Sequence, residues 1–147
     1  MRKAITVVIS VTALVLPSVD AWAATTAQHK AAVKKKVVTI RKAFTGAAGS
    51  AGQWGEVQVL IVVSKTTTTV LKTKHKTILR KITAVKVPVF PNHTSRSVFI
   101  NQQALPYLIQ ETLQAQSTGI NLISGATYTS DGFAASLQSA ILQARVW

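Results

Sequence analysis

Cysteine is absent from this chain of 147 residues, and only four residues are acidic. The lack of cysteine excludes disulfides, thiolate metal ligands, cysteine-held iron–sulfur clusters and cysteine nucleophiles. So few acids leave almost no way to arrange the paired carboxylates of a glycoside hydrolase. His29, His75 and His93 have no metal-ligand spacing to one another or to the acids. We therefore predict no metal site and no catalytic residue.

A hydrophobic run long enough to span a bilayer is also missing from the N-terminal region. Residues 4–16 are almost wholly apolar, whereas a membrane-spanning helix needs roughly 20 such residues. Arg2 and Lys3 precede the run, Pro17 follows it, and Ala21 and Ala23 are small residues at the positions that a signal peptidase reads. This pattern predicts a signal peptide over residues 1–23. The alternative is an uncleaved anchor on the outer face of the cytoplasmic membrane.

Basic residues outnumber acidic ones, with 17 Lys and Arg residues and a formal net charge of +13. Such a charge favours anionic partners, of which nucleic acid is the usual first candidate. The predicted signal peptide indicates an extracytoplasmic or secreted protein. Such a protein meets anionic lipid headgroups and wall polymers, so we predict these as partners and no nucleic-acid partner. Residues 24–43, rich in Ala, Thr and Lys, are predicted to be a basic linker.

The first half of the predicted domain has the patterns of strands. Four glycines at positions 46, 49, 52 and 55 indicate a flexible connecting loop, with a phosphate cradle as the alternative. Residues 56–63 alternate with one fully apolar face, which predicts a strand. Residues 66–71 also favour a strand, paired back through a turn near Ser64 and Lys65, and a loose threonine-rich loop is the equal alternative. Residues 78–89 suggest a further strand, closed by Pro88 and Pro91.

The second half has mainly helical periodicity. Residues 101–116 have apolar side chains at helical spacing, with Pro106 predicted in the first turn. Residues 120–123 suggest a short strand. A last helix is predicted with Ser130 as its N-cap and Arg145 in its last turn. This order predicts an α+β domain in which helices cover an antiparallel sheet.

The loop before the last helix, residues 124–132, is rich in small and hydroxyl-bearing residues. Gly125 can adopt a positive φ, and the free N–H groups and dipole of a helix start favour an anion. The hydroxyls that could add hydrogen bonds are those of Ser124, Thr127, Thr129 and Ser130. Two interpretations stay open on these grounds: an anion-binding turn, or an ordinary capped helix after a tight turn.

The same loop resembles the C-terminal signature of the FMN-binding domain family. The resemblance starts with Ser124-Gly125-Ala126-Thr127, continues through Tyr128 to Phe133, and extends to residues 136–140. Upstream, residues 104–117 resemble the family's preceding helix, and residues 54–59 resemble its first long strand. The family includes small secreted actinobacterial proteins and the flavinylated subunits of sodium-pumping NADH:quinone oxidoreductase. The resemblance covers roughly residues 44–145.

The resemblance implies that residues 44–147 form an FMN-binding domain with the attachment loop before the C-terminal helix. In flavinylated relatives the threonine that closes the motif forms a phosphoester with FMN, which a flavin transferase installs outside the cytoplasm. This role carries over to Thr127. The surrounding loop is then expected to bind the cofactor through Ser124, Gly125, Ala126, Tyr128, Thr129 and Ser130. The chain departs from the family pattern at Asn121, where an acid is expected three residues before the serine.

Three functions are compatible with these features. The first is a redox carrier between a membrane-linked partner and an extracytoplasmic acceptor, which the lack of evident catalytic acids and bases favours. The second is a flavin-dependent reductase of a small substrate. The third is a basic envelope protein, bound to anionic lipid or wall polymer, that holds no flavin. Trp54, Tyr128 and Phe133 are candidate contacts of a flavin ring, although aromatic residues are more often part of the core. The basic segment 72–81 is a candidate modulator of the flavin potential, but no sequence argument places it beside the ring.

Overall fold

The computed structural model describes residues 33–147, which form an antiparallel sheet and two long helices. The elements in chain order are β1 (Lys35–Thr45), β2 (Gly49–Ser50), β3 (Glu56–Val70), β4 (Lys76–Val89), α1 (Ser95–Ala115) and α2 (Thr127–Arg145). The predicted α+β class is thereby confirmed. The predicted signal peptide and the first part of the predicted linker lie outside the described residues. Of the helices described, none is both long and apolar enough to cross a membrane.

Strand β3 is the centre of the sheet. It pairs antiparallel with β1 along residues 60–70 and with β4 along residues 58–69, while the short β2 pairs with its first two residues. β-Branched side chains dominate β3, which suits an extended, paired backbone. The sheet therefore has a long central strand that runs from the β2 end to the turn before β4.

The hydrophobic core lies between one face of the sheet, formed by β3 and β4, and the two helices. Val57, Val59, Ile61 and Val63 are buried at every second position, as the alternation predicts. The stripe of α2 that packs against them includes Phe133, Leu137 and Ala140, and α1 adds Leu108. Each large apolar side chain buried in this way stabilises the fold by about 1.5–3 kcal/mol. The core thus holds α2 along β3.

Helix α1 begins about two turns earlier than predicted. Thr94 is its N-cap, and the Thr94 hydroxyl accepts a hydrogen bond from Ser97 N at 3.0 Å. Pro106 consequently lies inside the helix and not in its first turn. The apolar periodicity starts only after a polar first turn, which concealed the true start. At the other end, the Gln116 side chain accepts from Ile82 N and donates to Ile82 O, which joins the helix end to β4.

Two predicted strand features differ in the structure. Strand β3 is continuous through Ser64 and Lys65, and the chain turns instead at residues 71–75. The threonine run stays in β3 because strands pair with it on both sides. Residues 120–123 form a loop and not a strand. Their backbone bonds locally, since Ile120 N donates to Thr118 O and Ile123 N donates to the Ser130 hydroxyl.

Residues 35–43, which the sequence suggested were linker, form most of β1. They pair with residues 62–70 of β3, so partner strands impose the extended structure that their composition does not indicate. We call residues 34–42 and 64–81 the basic arm, because these strand ends and their turn extend beyond the helices. The arm contains the following basic residues: Lys34, Lys35, Lys36, Arg41, Lys42, Lys65, Lys72, Lys74, Lys76, Arg80 and Lys81.

The glycines before β3 allow close packing and do not form the predicted flexible loop. A Cβ at Gly49 would lie 1.9 Å from Gly132 O, and a Cβ at Gly46 would lie 2.0 Å from Ser136 O. At this break between β1 and β2, Val59 N donates to the Ser136 hydroxyl at 2.9 Å. The backbone of α2 therefore fits directly against the edge of the sheet, and this contact sets the position of the α2 start.

Candidate functional site

A cavity of about 190 Å³ lies where the start of α2 meets the first two turns of α1. Its walls come from four segments: the turn before β3, the end of the β4–α1 connection, α1, and the loop that begins α2. The lining residues are Trp54, Pro91, Thr94, Arg96, Ser97, Ile100, Asn101, Gly125, Ala126, Thr127, Tyr128 and Thr129. Five of the seven predicted site residues line this cavity, whereas Ser124 and Ser130 do not.

Helix α2 begins at Thr127, one turn before the predicted N-cap Ser130. The N-cap is Ala126, which has no side chain able to accept a hydrogen bond from the helix start. Ser130 is fully buried within the first turn. Its hydroxyl donates to Ala126 O at 2.9 Å and accepts from Ile123 N at 3.2 Å. Ser130 therefore fixes the preceding loop and does not cap the helix.

The start of α2 has backbone donors without helical partners. The first hydrogen bond of the helix runs from Ser130 N to Ala126 O at 2.9 Å. The N–H groups of Thr127, Tyr128 and Thr129 precede it and have no acceptor within the helix. The helix dipole adds a partial positive charge of about half an elementary charge here. With alanine as the N-cap, these donors suit an anionic group supplied from outside the helix.

The loop geometry explains why small residues precede Thr127. Gly125 has a φ of +83°, a conformation that side chains with a Cβ rarely adopt. Ala126 is buried, while Ser124 and Thr127 are exposed. The Thr127 hydroxyl is thus accessible at the cavity, beside the free N–H groups. The predicted side-chain cap of the helix does not form. Of the two interpretations of this loop, the structure therefore favours an anion-binding turn over an ordinary capped helix.

A buried hydrogen-bonded chain connects the cavity wall to the rest of the fold. The Thr129 hydroxyl donates to Asn101 Oδ1 at 2.8 Å, and Asn101 Nδ2 donates to Pro91 O at 2.6 Å. Sequence reasoning assigned Thr129 to the site but missed Asn101. A polar residue on the apolar side of α1 is the only sequence signal that could have indicated it.

Two of the three candidate aromatic residues line the cavity, and the third, Phe133, is a core residue. Trp54 is stacked on His93, with ring centroids 6.3 Å apart and an interplanar angle of 17°. Tyr128 is exposed, and its ring lies close to Gly52, where a Cβ would approach Tyr128 Cδ1 to 3.2 Å. Phe133 is fully buried in the core, because its position on α2 points to β3. Trp54 and Tyr128 are therefore the aromatic residues available to a ligand.

Arg96 is the cationic residue among those that line the cavity, and no residue of the basic segment 72–81 lines it. Arg96 lies in the first turn of α1 and lines the cavity. Residues 72–81 lie in the basic arm, at the opposite end of β3 from Trp54. The sequence could not exclude residues 72–81 from the cavity. What separates them from it is the length of the continuous strand β3, which only the structure shows.

Asn121 contacts an acidic residue from another element. The Asn121 amide donates a hydrogen bond to Glu111 Oε1, and both residues line a second depression beside α1, which is more open and has a volume of about 520 Å³. The structure therefore brings a carboxylate next to the position where the resemblance leads us to expect an acid. Across residues 33–147, no group of three potential metal ligands lies together.

Comparison with known proteins identifies the class of this chain. The model of the FMN-binding domain family matches residues 52–142, more than half of the chain, and the match covers α1, most of α2 and the residues that line the cavity. The chain belongs to this family. It is an FMN-binding flavoprotein, and its cofactor is FMN. No curated protein matches it.

Proposed function

We propose that this protein is an extracytoplasmic electron carrier in which FMN is joined to Thr127 through a phosphoester. The observation that carries the proposal is the position of the Thr127 hydroxyl. It is exposed, lines the cavity, and lies at the start of a helix whose first N–H groups have no helical acceptor. A phosphate esterified there would accept hydrogen bonds from these donors and would interact favourably with the helix dipole.

The remaining cavity residues suit the other parts of the cofactor. Arg96 brings a guanidinium group, which binds phosphate well and also stabilises a negatively charged reduced ring. Trp54 and Tyr128 offer flat apolar surfaces for a ring system. Bound FMN supplies the one- and two-electron redox chemistry, for which the protein provides position and charge.

The proposed attachment balances as a phosphoryl-group transfer from a flavin dinucleotide. The Thr127 hydroxyl oxygen forms a bond to the phosphorus on the FMN side as the bond between the two phosphates breaks. AMP leaves, and the hydroxyl proton passes to the solvent or to the leaving phosphate. A separate flavin transferase catalyses this step. No change of oxidation state occurs.

One feature favours a carrier over a reductase with its own substrate. The residues that line the cavity, all from the part of the chain that the structure describes, include no Asp, Glu, His or Cys that could act as a general acid or base on a substrate.

The extracytoplasmic location follows from the signal pattern in residues 1–23, and the covalent bond suits that location. Free flavin is scarce outside a cell, and a non-covalent site is filled only when the free ligand exceeds its Kd. A phosphoester removes this dependence on concentration. The location and the linkage support each other on this basis.

The linkage is tested by the intact mass of protein co-produced with a flavin transferase. We expect the wild type and Thr127→Ser to gain the mass of FMN less one water, and Thr127→Ala to gain none. Ser124→Ala, which removes a neighbouring exposed hydroxyl, is the matched control and keeps the added mass. Equal flavin content in wild type and Thr127→Ala would show that the linkage is elsewhere.

The carrier role is tested by the reactivity of the reduced protein. A carrier is expected to pass electrons quickly to redox proteins or quinones and slowly to small organic substrates. Saturable, rapid turnover with one small substrate would favour the reductase. Protein that stays free of flavin despite the transferase and a supply of flavin would favour the envelope-binding alternative.

A further inference from the structure

The basic arm extends well beyond the part of the sheet that the helices cover. Val63 in β3 and Ile82 in β4 are the last buried residues of these strands before the arm. Past them, the arm residues of β1 and β4 are exposed and those of β3 are half-buried. At about 3.3 Å per residue, Ser64 to Val70 alone extend some 20 Å from the core.

The arm concentrates the positive charge of the molecule. Its basic residues, named above, are most of the 17 in the chain, and residues 34–42 and 64–81 include no Asp or Glu. Two of them are held in place at the base of the arm, where Lys65 Nζ and Arg80 Nη2 donate to Trp147 O at 2.8 and 2.7 Å. The others lie at exposed positions of the strands and the turn. The arm is therefore a structured surface of one charge sign.

Large apolar side chains are exposed between these charges. Leu79 is 64% exposed, and Leu71, at the turn, is 55% exposed. Val37 and Val38 in β1 are adjacent in sequence, as are Ile78 and Leu79 in β4, so each strand places apolar side chains on both faces of the arm. In full, the exposed large apolar residues of the arm are Val37, Val38, Ile40, Leu71, Ile78 and Leu79. Exposed apolar side chains gathered in one region mark an interaction surface.

We propose that the basic arm docks the protein on the surface of an anionic lipid bilayer. Lysines attract the headgroups, while the apolar side chains enter the boundary between headgroups and acyl chains. A wall polymer or a nucleic acid would satisfy the charge but would offer no acyl phase for Leu71 and Leu79. The proposal does not depend on the flavin linkage, because no arm residue lines the cavity.

Docking through the tip of the arm would set the orientation of the cavity. Trp54 lies two residues before β3, whereas Leu71 directly follows it. These residues therefore stand at opposite ends of a strand that is about 45 Å long at 3.3 Å per residue. A tip-down arrangement turns the cavity away from the bilayer and leaves it open to partners in the aqueous phase.

The electrostatic part is tested with the full chain and vesicles of phosphatidylcholine, with or without phosphatidylglycerol. Each lysine near an anionic surface strengthens binding about fivefold, so Lys72→Gln/Lys76→Gln should weaken binding to the anionic vesicles roughly 25-fold. Lys86→Gln/Arg145→Gln removes two exposed charges outside the arm and should change it less than threefold. The N-terminal apolar run meets the same acyl phase in both vesicle types, so the ratio of the two affinities removes its contribution. Equal losses in the two variants, or equal binding to both vesicle types, would overturn the proposal.

The apolar part is tested by a fluorophore that responds to its environment. The chain lacks cysteine, so Leu71→Cys creates a unique labelling site, and Leu142→Cys, with a similar exposure of 53%, is the matched control on α2. We expect anionic vesicles to shift the emission to the blue at position 71 and not at position 142. If the protein binds a soluble polyphosphate as tightly as these vesicles, and position 71 shows no shift, the partner is a polyanion and the proposal is wrong.

Discussion

The Thr129 hydroxyl donates a hydrogen bond to Asn101 Oδ1 at 2.8 Å and thereby joins the first turn of α2 to the second turn of α1. Both side chains are buried, at 7% and 2% exposure. Asn101 also donates to Pro91 O, so one amide holds three segments of the cavity wall. Thr127 lies two residues before Thr129, and this chain therefore determines where the Thr127 hydroxyl stands.

Replacing Thr129 with valine keeps the shape of the side chain and removes the donor. Asn101 Oδ1 would remain buried without that partner, which costs about 1–3 kcal/mol. We expect a corresponding fall in the free energy of unfolding, measured by urea denaturation. Thr129→Ser retains the hydroxyl and should lose clearly less. If the serine and valine variants unfold alike, the hydrogen bond does not stabilise the fold.

A side chain at Gly49 would separate the sheet from α2. The obstacle is the Gly132 carbonyl, 1.9 Å from a Cβ at this position, and backbone cannot move aside as a flexible side chain can. We expect Gly49→Ala to destabilise the protein by at least about 3 kcal/mol, the upper part of the range for over-packing. The control is Gly119→Ala, whose Cβ would meet only Ser117 Oγ at 3.5 Å. Similar melting temperatures for both variants would contradict the packing described.

Ser136 replaces a missing strand partner at the break between β1 and β2. Its buried hydroxyl accepts from Val59 N at 2.9 Å. Ser136→Ala should lower the free energy of unfolding by about 1–3 kcal/mol, because the Val59 N–H is left without an acceptor. Ser139, which accepts from Ala47 N in an exposed position, serves as control, since water can take its place. Faster amide hydrogen exchange at Val59 in Ser136→Ala alone would identify the cause.

Arg96 is expected to raise the reduction potential of the flavoprotein. A nearby cation stabilises the anionic reduced ring, so Arg96→Gln should lower the potential by about 10–20 mV, a modest shift because Arg96 is exposed and its charge is screened. Lys86→Gln removes an exposed charge that does not line the cavity and should leave the potential nearly unchanged. The measurement is a spectroscopic redox titration. An unchanged or higher potential in Arg96→Gln would place the ring away from Arg96.

Local patterns were sufficient for the elements with strong periodicity. The apolar alternation of β3 and the stripe on α2 both identify core faces that are buried in the structure. Boundaries were less predictable where polar residues decide them. Thr94 caps α1 through its side chain. Ala126 is the N-cap of α2 and has no side-chain hydrogen bond to the helix, so the cap predicted at Ser130 lies one turn too late.

Features that depend on distant partners escaped the sequence. Residues 35–43 have the composition of a linker, yet they are a strand because β3 pairs with them. The early glycines suggest flexibility, yet Gly46 and Gly49 are small because the α2 backbone lies against them. Asn101, which positions Thr129, has no neighbour in sequence that indicates its role.

The residues alone determined the class of the fold, the cofactor family and the loop in which Thr127 lies, because these depend on short-range periodicity and on a contiguous motif. Tertiary structure alone decided that Arg96, Trp54 and Asn101 surround that loop and that the basic arm stands apart from it. The reason is physical: hydrogen bonds and close packing between segments far apart in sequence have no local signature, so only the assembled core brings them together.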